Sequence, residues 1–251
     1  CPKARCLFVS EFRGCHLNYM AAASHHIEGK ITPVEEGTGG GGSFDAKFHT
    51  KVTVLGSAAV GKTCLVRQLC FNKFQEAYKV TLGADFGACL AHMPSAKVHV
   101  QIWDTAGQER FNSMGPAFYR GSEACVLVYD VTSHESLEAL AEWKRGFQEQ
   151  AAGADEDGFP FVLVGNKCDL PAADHEVTEE EGRAWARDLG CAASFRCSAK
   201  EMTNVHQMML RTVDHILKRK KDREGAIESS IPLGEGIRID APVEKSSGCQ
   251  C

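Results

Sequence analysis

The chain has 251 residues, room for one domain of about 100–200 residues with extensions, or for two small ones. Its 28 Lys and Arg against 33 Asp and Glu leave a net charge of −5, which argues against a general nucleic-acid binder, whose affinity rests on basic charge. Hydrophobic residues make up 43% and charged residues 24%, as in ordinary soluble chains, and no run of some 18 apolar residues offers a bilayer span.

The 12 cysteines fall below the roughly 8–10% of a disulfide scaffold. No CxxC pair occurs, so a zinc ribbon or finger has no spacing to build on. Cys64, Cys70, Cys89, Cys125, Cys168, Cys191 and Cys197 are expected to be small buried hydrophobes in a reduced, cytosolic setting.

Residues 1–46 read as a disordered or artefactual extension. They begin at Cys1, hold a plausible start at Met20, and pass through Gly39-Gly40-Gly41-Gly42-Ser43, a linker composition. His25-His26 are two histidines without further partners, hence polar tail residues. From Lys51 the pattern changes. Val52-Thr53-Val54-Leu55 is a short buried strand ending at Gly56. Similar runs at Val98 to Trp103, Cys125 to Tyr129 and Phe161 to Val164 alternate with helical spacing. The class is therefore α/β, with βαβ units and a mostly parallel sheet. Ser133 is a capping candidate before the stripe Leu137, Leu140, Trp143, Phe147, and Thr178-Glu179-Glu180-Glu181 is a capping box. A last helix is expected from about Thr203 to Lys221, with Val205, Met208, Met209, Thr212, Val213, Ile216 and Leu217 on a core face. Residues 222–251 lose all periodicity and read as a flexible tail.

Gly56-Ser57-Ala58-Ala59-Val60-Gly61-Lys62-Thr63 matches GxxxxGK[ST] between a strand and a helix. The backbone N–H groups of Ser57 to Thr63 and the following Cys64 would wrap the α- and β-phosphates at a helix N-terminus. Lys62 would face the β/γ oxygens, and the Thr63 hydroxyl would ligate Mg²⁺. This motif alone does not separate ATP from GTP.

The base is read by Asn166-Lys167-Cys168-Asp169, at a strand's carboxyl end, where open α/β sheets bind ligands. One carboxylate, Asp169, can accept both the N1–H and the exocyclic amine of guanine, whereas adenine offers an acceptor and nothing in those places. Asn166 would bridge the purine and the phosphate loop, the stem of Lys167 would cover the ring, and Ser198-Ala199-Lys200 would supply a backbone N–H to the guanine carbonyl. Between these motifs, Asp104 ends an apolar strand as a Mg²⁺-holding Walker-B aspartate does. Gly107 would approach the γ-phosphate and Gln108 would orient the attacking water. Thr81 is a candidate second hydroxyl ligand to Mg²⁺.

With all five nucleotide motifs in order, residues 47–221 resemble the Rab branch of the Ras-superfamily small GTPases. The resemblance is carried by Phe74-x6-Thr81, by Thr81-Leu82-Gly83-Ala84-Asp85-Phe86, by Trp103 through Phe111, and by Phe118-Tyr119-Arg120-Gly121. Tyr78-Lys79-x-Thr81-x-Gly83-Ala84-Asp85-Phe86 and Phe159-Pro160-Phe161-Val162 are most similar to the late-endosomal Rab-seven type. The resemblance implies a P-loop G domain with a six-stranded sheet and five helices, GTP/GDP and Mg²⁺ as ligands, Phe74 stacking on guanine and Tyr78 at the nucleotide. It also implies an effector-contacting triad of Phe86, Trp103 and Phe118, for which plain core packing is the alternative. Ala58 and Ala59 stand where many family members carry glycine, so slow hydrolysis is expected. A guanine-nucleotide-bound scaffold with little turnover remains the alternative to a GTPase switch; an ATP-using phosphotransferase is opposed by Asp169.

The chain ends Cys249-Gln250-Cys251. It lacks a CaaX box but resembles the ending on which Rabs receive two geranylgeranyl groups, enough for stable anchoring where one would be marginal. Lys218 to Lys221 could add attraction to anionic lipid, a solvated helix end being the alternative. The resemblance further implies effectors, an exchange factor, a GTPase-activating protein, a prenylation escort, a GDP-dissociation inhibitor and a monomer. It places the chain on the cytoplasmic face of late-endosomal or lysosomal membranes, with a cytosolic pool.

Overall fold

The structure, a computed structural model, describes residues 26–34, 46–75, 81, 83–106, 118–151, 153–154 and 158–230, the side chains of 226–230 excepted. In chain order the elements are β1 (Lys30–Pro33), β2 (Phe48–Leu55), α1 (Lys62–Phe71), β3 (Ala84–His92), β4 (Lys97–Thr105), β5 (Ala124–Asp130), α2 (His134–Glu138), α3 (Leu140–Gln150), β6 (Phe161–Asn166), α4 (Glu179–Asp188), β7 (Ala193–Arg196) and α5 (Val205–Ser230). The seven strands form one sheet in the order β1-β3-β4-β2-β5-β6-β7. Pairings from β4 through β7 are parallel, while β3 runs antiparallel to both β1 and β4.

Every residue of β5 and β6 is buried, because these central strands are covered on both faces and so read as continuous apolar runs. One core lies between the sheet and α1 with α5, and joins Val54, Ile102 and Val126 to Leu65, Met208, Met209 and Val213. The methionines at 208 and 209 are thus packing residues. The other core, against α2, α3 and α4, is built on Leu127, Tyr129, Leu163, Leu137, Phe147 and Ala186. Helices therefore leave β2 and β5 toward opposite faces. The carboxyl ends of these two neighbouring strands mark the topological switch point where such sheets bind ligands.

The capping candidates behave as side-chain acceptors: Ser133 Oγ receives Ser136 N, and Thr178 Oγ1 receives Glu181 N at 3.2 Å. Glu181 does not complete a reciprocal box, since its carboxylate binds His134 at 2.7 Å. The stripe after Ser133 is divided between α2 and α3 at Ala139.

Two expectations are corrected, the strand count and the end of the last helix. The sheet has seven strands instead of six, because Lys30–Pro33, inside the segment read as disordered, pairs with β3; Ile31 supplies the apolar anchor at 5% exposure. Strand β3 carries small and polar residues, Ala-Asp-Phe-Gly-Ala-Cys-Leu-Ala-His, with little β-branched content, so pairing and not propensity makes it a strand. Finally, α5 continues to Ser230, past the Lys221 boundary, and its turn from Lys221 to Gly225 stands exposed. Among the described residues the cysteines are free thiols, with Cys70, Cys89, Cys125, Cys191 and Cys197 buried and Cys64 and Cys168 half-buried. No described helix is long and apolar enough to cross a membrane.

Candidate functional site

The loop from Gly56 to Gly61 joins the end of β2 to α1. Gly61 has φ +95, and a Cβ there would lie 2.2 Å from Asn166 Nδ2, so only glycine lets the loop pass this close to β6. The first turn of α1 has neither a side-chain cap nor an acidic residue. Its N–H groups are left to an anion, which the helix dipole also favours. Ala58 and Ala59 are exposed on the loop, and Ala59 holds φ +62, a left-handed conformation that a methyl-bearing residue adopts at a cost. Val60 is buried and Ser57 half-buried.

Lys62 is 5% exposed, and its Nζ donates to Gly56 O and Ser57 O, both at 2.8 Å. The ammonium therefore closes the loop on itself from below. Burial pulls its pKa down to about 8, against the attraction of Asp104. A cation held in so dry a place is poised for anionic oxygens.

Beside it, three oxygens converge from α1, from β4 and from the loop residue Thr81. Thr63 Oγ1, in the first turn of α1, donates to Asp104 Oδ2 at 2.5 Å and lies 2.9 Å from Thr81 Oγ1. Asp104, on β4, is 1% exposed. Its other oxygen, Oδ1, has no hydrogen-bond partner among the described residues. Burial raises its carboxyl to about 6, with the Thr63 hydrogen bond and Lys62 opposing. A buried carboxylate oxygen without a donor, next to two hydroxyls, is the donor set a hard cation takes.

On the far side of the loop, Asn166 ends β6. Its Nδ2 donates to Val60 O at 2.9 Å, and its Oδ1 accepts from Ala199 N at 3.0 Å. One amide thus fastens the phosphate loop to the loop after β7. Asp169 Oδ1 accepts from Ser198 Oγ at 2.6 Å, and the same hydroxyl accepts from Glu201 N at 2.9 Å. Lys167 adopts φ +68 and its ammonium pairs with Asp130, which holds its stem across the end of the sheet. Lys200 lies exposed just beyond, and Cys64, after Thr63, contacts Gln75 O through its thiol.

Two supporting residues went unread in the sequence. Gln68 is buried on α1 and donates to Ala199 O at 2.6 Å; a glutamine on an apolar helical face was the available signal. Asp130 ends β5, much as Asp104 stands one residue before the end of β4; that strand-end position marks the residue but not its contact with Lys167.

Phe74 is 39% exposed and Phe86 is 51% exposed. Phe86 meets Trp103 edge-on at 5.8 Å, and Trp103 meets Phe118 at 5.6 Å. The expected aromatic triad is thus contiguous, and Lys51 Nζ sits 4.3 Å from the Trp103 ring in a cation–π contact. Tyr78, Gly107, Gln108, Cys249 and Cys251 lie outside the described residues.

The Ras family model matches residues 51–218, the span that carries this site. The chain is 42% identical over 200 residues to the Ras-related protein Rab7 of Cenchrus ciliaris, covering 79% of this chain and 95% of that protein. It is 41% identical over 202 residues to the Ras-related protein RABG3e of Arabidopsis thaliana, covering 80% and 96%, and 40% identical over 199 residues to the GTP-binding protein yptV5 of Volvox carteri, covering 79% and 95%. Identity of this extent, over nearly the whole length of each relative, places the chain in the Ras family, among the Rab GTPases of the Rab7 type that hydrolyse GTP and serve membrane trafficking.

Proposed function

We propose that this GTPase works as a Mg²⁺-dependent switch at late-endosomal or vacuolar membranes. The observation that carries the reading is the convergence of Thr63, Thr81 and Asp104 beside the buried Lys62. Mg²⁺ would be held by the Thr63 and Thr81 hydroxyls and, directly or through water, by Asp104, and it supplies charge neutralisation to the phosphates. Lys62 exchanges its contacts with Gly56 O and Ser57 O for phosphate oxygens, and the uncapped start of α1 receives the same anion. Asp169 accepts from guanine, and Phe74 and the Lys167 stem cover the ring. Gln108 orients the water, and Gly107 meets the γ-phosphate. Loss of that phosphate releases Thr81 and Gly107, so the two loops lose the ligand that ordered them.

Phe86, Trp103 and Phe118 present the effector surface, with Phe86 exposed as a docking residue. An exchange factor and an activating protein set the nucleotide state. A prenylation escort and a GDP-dissociation inhibitor handle geranylgeranylated Cys249 and Cys251, and the G domain acts as a monomer. The scaffold without turnover is not favoured, given the GTP-hydrolysing relatives.

The test is single-turnover hydrolysis of loaded GTP, with Mg²⁺ and with chelator, in the wild type and in Gln108→Leu. Wild-type turnover that needs Mg²⁺ and falls at least tenfold in the variant, with GTP binding retained, is expected; unchanged turnover in Gln108→Leu removes that residue from the mechanism.

A further inference from the structure

Gln68 lies in α1 on the side turned to the core, with Leu65 and Leu69, and is only 6% exposed. An amide buried there costs free energy unless its polar atoms are bonded, and an aliphatic side chain of like size would fill the place without that cost. This amide reaches out of its own helix. Its Nε2 donates to Ala199 O at 2.6 Å, across 131 residues of chain. The helix whose first turn carries Lys62 and Thr63 is thereby tied to the loop that follows β7.

In that loop, Ser198, Ala199 and Lys200 are each held differently. Ser198 N donates to Thr203 O at 3.1 Å, while Ser198 Oγ donates to Asp169 and accepts from Glu201 N. Ala199 is grasped from two sides, its N–H by Asn166 Oδ1 at 3.0 Å and its carbonyl by Gln68. A trans peptide is planar and points its N–H opposite to its C=O. With Ala199 O drawn toward α1, the N–H of Lys200 is therefore turned away from the helix. Among the described residues none accepts from it. Lys200 is exposed and stands two residues from the hydroxyl that bonds Asp169.

We propose that Gln68 is a positioning residue for base recognition. By fixing the Ala199 carbonyl it orients the following peptide, so that a backbone N–H of this loop is presented to the C6 carbonyl of guanine while Asp169 takes the N1–H and the amine. This role rests on the proposed guanine site and adds to it the side chain that sets the donor. Without the Gln68 amide, the carbonyl of Ala199, a residue 3% exposed, loses its donor and the peptide loses its fixed orientation. The loss is confined to the C6 contact, because Asp169 is held through Ser198 Oγ, which Gln68 does not touch.

The experiment measures dissociation constants of the full chain and its Gln68→Leu variant for GDP, 6-thio-GDP, xanthosine diphosphate and ADP, by competition against a fluorescent GDP. In 6-thio-GDP only the C6 oxygen is replaced, by sulfur, a weak acceptor; xanthosine diphosphate keeps that oxygen and replaces the amine. The wild type is expected to bind GDP more tightly than 6-thio-GDP. In Gln68→Leu, GDP should bind roughly tenfold more weakly, the scale of one hydrogen bond, and 6-thio-GDP less than about threefold more weakly. The preference for GDP over xanthosine diphosphate should stay as it was. Equal weakening of GDP and 6-thio-GDP marks a merely structural amide and overturns the proposal. So does unchanged GDP binding, a lost preference over xanthosine diphosphate, or a wild type that does not tell GDP from 6-thio-GDP. A wild type with no preference for GDP over ADP removes the guanine site itself, and the role of Gln68 with it. Should Gln68→Leu lose amide protection across β5 and β6, Gln68→Met, unbranched and without a donor, carries the same comparison.

Discussion

Asp104 shows how one residue can cost stability and yet stand where a cation would bind. Burial lifts its carboxyl to about 6, so in the metal-free protein the ionised form is less favoured than in the unfolded chain. A folded-state value above the unfolded one makes the stability contribution fully present below the ordinary value of 3.8 and lost as the pH rises through about 6. Metal-free protein should therefore gain stability from this group as the pH falls from 6 toward 4, and Asp104→Asn should abolish that gain in pH-dependent denaturant titrations. In the proposed switch Mg²⁺ would compete with the same proton, so Mg²⁺-dependent nucleotide retention should weaken as the pH falls through about 6, and Asp104→Asn should reduce it at least tenfold at pH 7. At Ala59, φ +62 carries roughly 1–2 kcal/mol of left-handed cost, which glycine's extra chain entropy of about 0.5–1 kcal/mol only partly offsets. Ala59→Gly should raise the urea midpoint by an amount equivalent to up to about 1 kcal/mol. Asp169→Asn should shift selectivity from guanine toward xanthine by tenfold or more in competition binding, because an amide can donate to the xanthine carbonyl; unaltered selectivity would remove Asp169 from base recognition. The sequence pointed to these side chains by motif, yet it said nothing of the Ser198 hydroxyl that orients Asp169 or of the Asp130 carboxylate that holds Lys167. Those contacts join residues far apart in the chain, and no local pattern encodes them.

Among the elements, legibility followed burial pattern. The doubly covered strands β5 and β6 announced themselves as apolar runs, and the methionine-bearing face of α5 announced itself by helical spacing. Strands β1 and β3 did not, because a Lys-Ile-Thr-Pro segment and an alanine-rich edge become strands only by pairing with each other and with β4. The cap at Thr178 was legible from Thr-Glu-Glu-Glu, whereas the diversion of Glu181 to His134 was not. Thr178→Ala should cost about 1 kcal/mol, measurable as a lower thermal midpoint with unchanged nucleotide binding.

For the molecule as a whole, the basic stretch at the end of α5 is partly spent within the fold. Lys218 pairs with Asp214 and Lys220 with Glu123, both at 2.8 Å. Exposed pairs of this kind contribute about 0–1 kcal/mol, but they bind charge that would otherwise face lipid. On the proposed reading, membrane attachment would then fall to the terminal cysteines. The double variant Cys249→Ser, Cys251→Ser should move the protein from membrane to soluble fractions while leaving nucleotide binding intact; persistent membrane association would transfer the anchor elsewhere. The sequence by itself determined the α/β class, the phosphate and guanine motifs and the family, because these depend on residue types at fixed local spacing. Only the tertiary structure decided that Thr63, Thr81 and Asp104 share one point, that Asn166 ties the phosphate loop to the loop of Ala199, and that an N-terminal segment completes the sheet. Each of these joins residues distant in the chain, and such meetings are set by how strands stack and helices cover them.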